Sequence, residues 1–78
     1  MPKITPISYK KFDKFLRFVG CELVSQKGSH RKYSRSGLIR PIIVPIHKTV
    51  DIPIFVIKNT LRILGLANEQ YLNILEQL

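Results

Sequence analysis

The sequence predicts an α+β domain in which a helix, a three-stranded antiparallel sheet and a second helix follow one another, with an additional short helix near the C-terminus. Three observations carry that prediction. Apolar residues recur at helical spacing from Phe12 to Val19 and again from Ile54 to Leu64. Between them lie short mixed stretches punctuated by Gly28-Ser29 and Ser36-Gly37, residue pairs suited to tight turns between strands. A chain of 78 residues has room for one core, so the elements form a single domain over residues 1–78.

Ser8 opens the first helix, because its side-chain oxygen can accept from a backbone N–H of the first turn, and Gly20 ends it. Phe12, Phe15, Leu16 and Val19 make its apolar side, and Ile7 is placed to staple the chain entry against Phe12. Lys10, Lys14 and Arg17 share another face as a basic row, which reads equally as solvated surface or as phosphate contact. Cys21 to Lys27 and His30 to Arg35 read as two antiparallel strands joined at Gly28-Ser29. Ser36-Gly37 then turns the chain into a third strand, Ile39 to Val44. Pro41 interrupts that strand and Pro45 closes it, which places it at a sheet edge.

Asp51 and Pro53 mark the start of the second helix, whose Ile54, Ile57, Leu61 and Leu64 run on to Gly65. The run Ile54-Phe55-Val56-Ile57 also favours a strand, and the periodicity through Leu64 decides for the helix. Asn68 is the expected cap of the last helix, with Glu69 at its positive end. Tyr71, Leu72, Leu75 and Leu78 give that helix an apolar side to pack on the domain or on a partner. Helices gathered on one face leave the other face of the sheet open.

Charge points to a polyanionic partner. Thirteen Lys and Arg against five Asp and Glu give a formal charge of +8, and a field of that sign draws in nucleic acid. All the cations lie between Lys3 and Arg62, and Leu23 to Val50 contains no acidic residue. The stretch from Ile63 to Leu78 has no Lys or Arg, so it is an unsuitable phosphate contact. The single Cys21 cannot form an internal disulfide, and the N-terminal stretch lacks the apolar core of a secretory signal; both fit a reducing cytoplasm. No apolar run approaches the roughly 18 residues that span a bilayer, so no membrane association is expected.

The acidic residues are scattered at Asp13, Glu22, Asp51, Glu69 and Glu76, without the clustering that metal-dependent nucleases need. The two His and one Cys lack zinc-ligand spacing, and there is no phosphate-cradling glycine loop or nucleophile elbow. No metal or cofactor is expected. An enzyme of this composition would have to work through histidine. His30 follows the Gly28-Ser29 turn with Lys27, Arg31 and Lys32 around it, so an imidazole able to exchange a proton near neutral pH stands among cations able to hold a phosphodiester. Strand alternation sends His30, Lys32 and Ser34 to one face and Arg31, Tyr33 and Arg35 to the other, with Tyr33 the core residue. His47 is a second acid–base candidate, though a loop histidine reads as readily as an exposed bystander or a phosphate contact.

The string GCELVSQKGSHRKY, Gly20 to Tyr33, resembles the HicA family of mRNA interferase toxins, which carry Gly-Ser-His followed by an aromatic three residues on. The likeness continues through Val44-Pro45 and His47-Lys48 to Thr60-Leu61-Arg62 and Leu64-Gly65-Leu66. Cys21 stands where a bulky aromatic is expected and Ser25 where members often have Arg; Ile54 to Ile57 is longer and more apolar than the usual lead-in to the last family helix. The resemblance implies a double-stranded-RNA-binding-domain-like fold, a catalytic His30 and a HicB-type antitoxin partner. Within it, Lys27, Gly28, Ser29, Arg31, Lys32, Lys10, Lys14, Arg17, His47 and Lys48 are the expected RNA-binding residues, and mRNA is the expected substrate. The rival readings are a non-catalytic RNA-binding module of the same fold and, further behind, a protein whose charge serves an acidic partner.

Overall fold

A computed structural model describes residues 3–78. The elements run α1 (Tyr9–Phe18), β1 (Glu22–Lys27), β2 (His30–Ser34), β3 (Ile42–Pro45), α2 (Ile54–Leu64) and α3 (Asn68–Glu76). This is the predicted α+β order, and the three strands form one antiparallel sheet in the order β1-β2-β3.

Local chemistry accounts for most boundaries. Ser8 caps α1, its Oγ accepting from the Lys11 N–H at 3.2 Å. The helix ends where Gly20 takes φ of 92°, a left-handed conformation, while the Cys21 N–H returns to the Leu16 carbonyl. Gly28 turns the β1-β2 hairpin at φ of 59°. Gly65 closes α2 in the same region, with φ of 74°, so the helical reading of Ile54 to Leu64 holds over the strand reading.

Two expected boundaries need correction, at the third strand and at α3. The third strand begins at Ile42 rather than Ile39: the chain spends residues 39–41 leaving the Ser36-Gly37 turn, and Ile39 is 97% exposed. Pro41 has no N–H for the ladder, so pairing starts only beyond it. The start of α2 falls where Asp51 and Pro53 mark it, directly after Pro53. Its N-cap is Pro53, whose carbonyl takes the N–H groups of Val56 and Ile57 with no side-chain acceptor present. Asn68 is already inside α3, and the cap position belongs to Ala67, whose N–H donates to Gln70 Oε1 at 2.7 Å. Gln70 thus satisfies the N–H of the cap residue itself from within the helix, the contact a third-position Gln makes in a capping box.

The core lies between the helices and one face of the sheet. Phe12, Phe15 and Leu16 of α1 meet Tyr33, Ile42 and Val44 of the sheet and Val56, Ile57, Leu61 and Leu64 of α2. Tyr71 brings α3 onto this core, its ring edge-on to Phe15 at 4.8 Å. The apolar side of the last helix therefore packs within the domain, and Lys11 Nζ donates to the Leu78 carbonyl at 2.9 Å.

The Tyr71 hydroxyl is buried without a hydrogen-bond partner among the described residues, and burial pushes its pKa up to about 12. A hydroxyl stripped of water and left unpaired costs about 1–3 kcal/mol. Tyr71→Phe removes it while keeping the ring, so that variant is expected to raise the urea midpoint by an amount equivalent to about 1 kcal/mol. A lowered midpoint would contradict the orphaned state of this group.

Candidate active site

The hairpin register decides which side chains stand beside His30. Glu22 pairs with Ser34 and Leu23 with Tyr33, then the register shifts, so that Ser25 faces Lys32, Gln26 faces Arg31 and Lys27 faces His30. Val24 is the extra residue, a bulge with its side chain 60% exposed. Without the bulge, regular pairing would set Gln26 opposite His30. The added residue moves Lys27 there instead, the re-aiming that bulges perform near functional sites.

On the other side of β2, His30 faces Pro45, Arg31 faces Val44, Lys32 faces Ile43 and Tyr33 faces Ile42. Directly paired residues share a face, and successive residues alternate. Tyr33, Ile42 and Val44 are buried beneath the helices. Lys27, His30, Lys32, Ser25, Ile43 and Pro45 therefore occupy the open face, where His30, Lys27 and Lys32 are exposed. An imidazole with a cation on the paired strand and another two residues along its own strand can meet a phosphodiester laid across the sheet.

The structure also places the remaining expected RNA-binding residues. Gly28 is exposed in the turn, and Ser29 is half-buried with its carbonyl accepting from the Ile46 N–H at 2.6 Å. His47 and Lys48 are exposed in the tight turn that follows, closed by Val50 N–H to the His47 carbonyl at 3.0 Å. All of these lie at the end of the sheet where β2 begins. Lys10, Lys14 and Arg17 are exposed on α1, which packs on the covered face, so the sheet stands between that row and the open face. Arg31 is turned away from His30 as well. It lies half-buried on the covered side, its Cζ 5.6 Å from the centroid of the Tyr9 ring and its Nε 3.3 Å from Gln26 Oε1.

One residue that charge counting passed over organises this underside. Asp13 accepts from the Tyr33 hydroxyl at 2.5 Å and from Arg17 Nε at 2.9 Å, with Arg31 Nη1 at 3.8 Å. The cluster ties α1 to the strand that carries His30. Burial raises the Asp13 pKa, and the Tyr33 and Arg17 hydrogen bonds, with the charges of Arg17 and Arg31, outweigh it and hold the carboxyl below its ordinary value. Burial, reinforced by the hydrogen bond to Asp13, pushes the Tyr33 phenol up. The i, i+4 spacing of Asp13 and Arg17 was a visible signal for the first contact only.

A carboxyl with a depressed folded pKa stabilises the fold above its unfolded pKa, near 3.8, and that contribution is lost as pH falls through the folded value. The urea midpoint of the wild type should therefore drop more steeply below about pH 4 than that of Asp13→Asn, which has no proton to gain there. Parallel curves for the two proteins between neutral pH and pH 2.5 would contradict the cluster.

The open face is a surface of exposed side chains, Lys27, His30 and Lys32 among them. Two hollows of about 280 and 250 Å³ lie elsewhere, the first against Lys3 and Asn68 and the second between Arg40 and Arg62, and neither is lined by His30, Lys27 or Lys32. A broad cationic face suits a polymer lying across it better than a small ligand held in a cleft. Among the described residues, no group of three or more His, Cys, Asp or Glu could hold a metal ion, and no helix is long and apolar enough to cross a membrane.

A model of the family described as the HicA toxin of bacterial toxin-antitoxin systems matches residues 9–66. The chain belongs to the HicA toxin family. No curated protein and no solved structure matches it. The HicA match takes in α1, the whole sheet and α2, and stops short of α3. The α1-β1-β2-β3-α2 order of the HicA segment is the one the sequence predicted, and α3 is added to it through Tyr71. As the toxin half of a toxin-antitoxin pair, a HicA protein has an antitoxin as its partner.

Proposed function

We propose that this HicA toxin is a metal-independent endoribonuclease that cuts mRNA in the cytoplasm, with His30 as its catalytic histidine, and so halts translation and growth. The observation that carries the reading is the exposed His30 on a sheet face shared with Lys27 and Lys32. RNA supplies its own nucleophile, the 2′-hydroxyl, which DNA lacks. His30 moves a proton in the attack of that hydroxyl on the neighbouring phosphorus, Lys27 and Lys32 hold the phosphate oxygens as charge develops, and Gly28-Ser29 lets the backbone approach closely. A HicB-type antitoxin silences this toxin by covering the face that bears His30.

The test is to incubate the purified toxin with RNA in the presence of a chelator and to identify the new 3′ ends. Chelator-resistant cleavage that leaves 2′,3′-cyclic phosphates, and that is blocked by a 2′-deoxy substitution at the cut position, is expected. Chelator-sensitive cleavage, or RNA bound and left intact, would overturn the reading; the second result would favour the non-catalytic binding module.

A further inference from the structure

Cleavage by the 2′-hydroxyl requires two proton transfers at opposite sides of phosphorus, one from the attacking oxygen and one to the leaving oxygen. His30 is one group. The chain has one other histidine, His47. The ladder between β2 and β3 keeps a constant register, with Tyr33 on Ile42, Lys32 on Ile43, Arg31 on Val44 and His30 on Pro45. It continues one step beyond the strands, where the Ile46 N–H donates to the Ser29 carbonyl. Burial continues with it. Ile42, Val44 and Ile46 are buried, Ile43 is exposed, Pro45 is half-buried, and His47 is exposed.

His47 therefore falls on the same open face as His30, one place along the diagonal from the His30–Pro45 pair. Diagonal neighbours of an antiparallel pair lie about 7–8 Å apart, within the joint reach of two imidazoles placed around one phosphate. The bridge between His47 and Val50 holds this position of the backbone, and Lys48 adds a cation beside it.

From this placement we infer that His47 is the second proton-transfer group of the reaction proposed above, the one that protonates the leaving oxygen; the inference rests on that reading. In balance, His30 takes the proton of the 2′-hydroxyl as the 2′-O–P bond forms. The P–O5′ bond breaks, and O5′ receives the proton carried by the His47 imidazolium. The products are a 2′,3′-cyclic phosphate and a free 5′-hydroxyl, and exchange with water returns both rings to their starting states.

The deciding experiment compares an RNA oligonucleotide cut at a mapped position with the same strand carrying sulfur in place of the bridging 5′ oxygen there. A thiolate leaves without being protonated. His47→Ala is expected to cut the ordinary strand about 10²- to 10⁴-fold more slowly, the usual worth of a positioned acid or base, and to recover most of that loss on the sulfur strand. His47→Gln keeps a hydrogen-bonding side chain without a titrating proton and should behave as the Ala variant does. Wild-type rates in His47→Ala, an equal deficit on the two strands as a simple phosphate contact gives, or recovery by Gln would overturn the inference. His30→Ala measured alongside separates the two levels: full activity there removes His30 as the catalytic histidine of the proposed function, and with it the pairing of the two rings, whereas an inactive His30→Ala beside an unaffected His47→Ala removes only the role of His47.

Discussion

Replacing His30 by Ala is expected to slow RNA cleavage about 10²- to 10⁴-fold and to abolish growth arrest, while the melting curve and the affinity for RNA stay close to those of the wild type. The expectation separates chemistry from binding because of where the side chain stands. His30 is exposed on the open sheet face and contributes nothing to the core, so its loss opens no cavity. Lys27 on the paired strand and Lys32 two residues on remain to hold phosphate. Single-turnover cleavage, filter binding and thermal unfolding of the same preparation read the three properties. Loss of cleavage together with loss of structure would show His30 to be a structural residue, and undiminished cleavage would show that the chemistry lies elsewhere.

Phe15→Ala is expected to be the most damaging single change to the fold, at about 3–5 kcal/mol, the range for removing a buried aromatic ring. Phe15 is 0% exposed, lies 5.8 Å from Phe12 ring to ring and receives the edge of Tyr71 from α3. The ring thus joins α1 to the one helix that lies beyond the matched HicA segment. Small domains have total stabilities of about 5–15 kcal/mol, so a loss of this size unfolds a substantial share of the molecules at growth temperature. Urea unfolding followed by far-ultraviolet dichroism measures it. A loss below about 1 kcal/mol would mean that α3 does not depend on this contact.

Much of the molecule was legible in the sequence because local chemistry and tertiary packing agree there. Ser8, Gly20, Gly28 and Gly65 each perform the capping or turning role their residue type suits, and Tyr33 is buried as strand alternation required. The hidden features depend on partners distant in sequence. The Val24 bulge leaves no compositional mark, yet it sets Lys27 rather than Gln26 beside His30. Strand alternation sends Arg31 away from His30, but the groups it meets there, the Asp13 carboxylate and the Tyr9 ring, belong to α1 and could not be read from the strand. The row Lys10, Lys14 and Arg17 could be read from helical spacing, whereas its separation from His30 by the thickness of the sheet could not. His47 looked like an isolated loop histidine because only the β2-β3 register brings it to the diagonal of His30.

The central claim is that RNA lies across the open face of the sheet, against His30. A 2′-O-methyl oligonucleotide binds without being cut, and nuclear magnetic resonance of the labelled protein can map where it sits. Shifts concentrated at Lys27, His30, Lys32, Ile43 and His47, with α1 little changed, are the expected result. Shifts confined to Lys10, Lys14 and Arg17, with the His30 resonances unmoved, would contradict the claim.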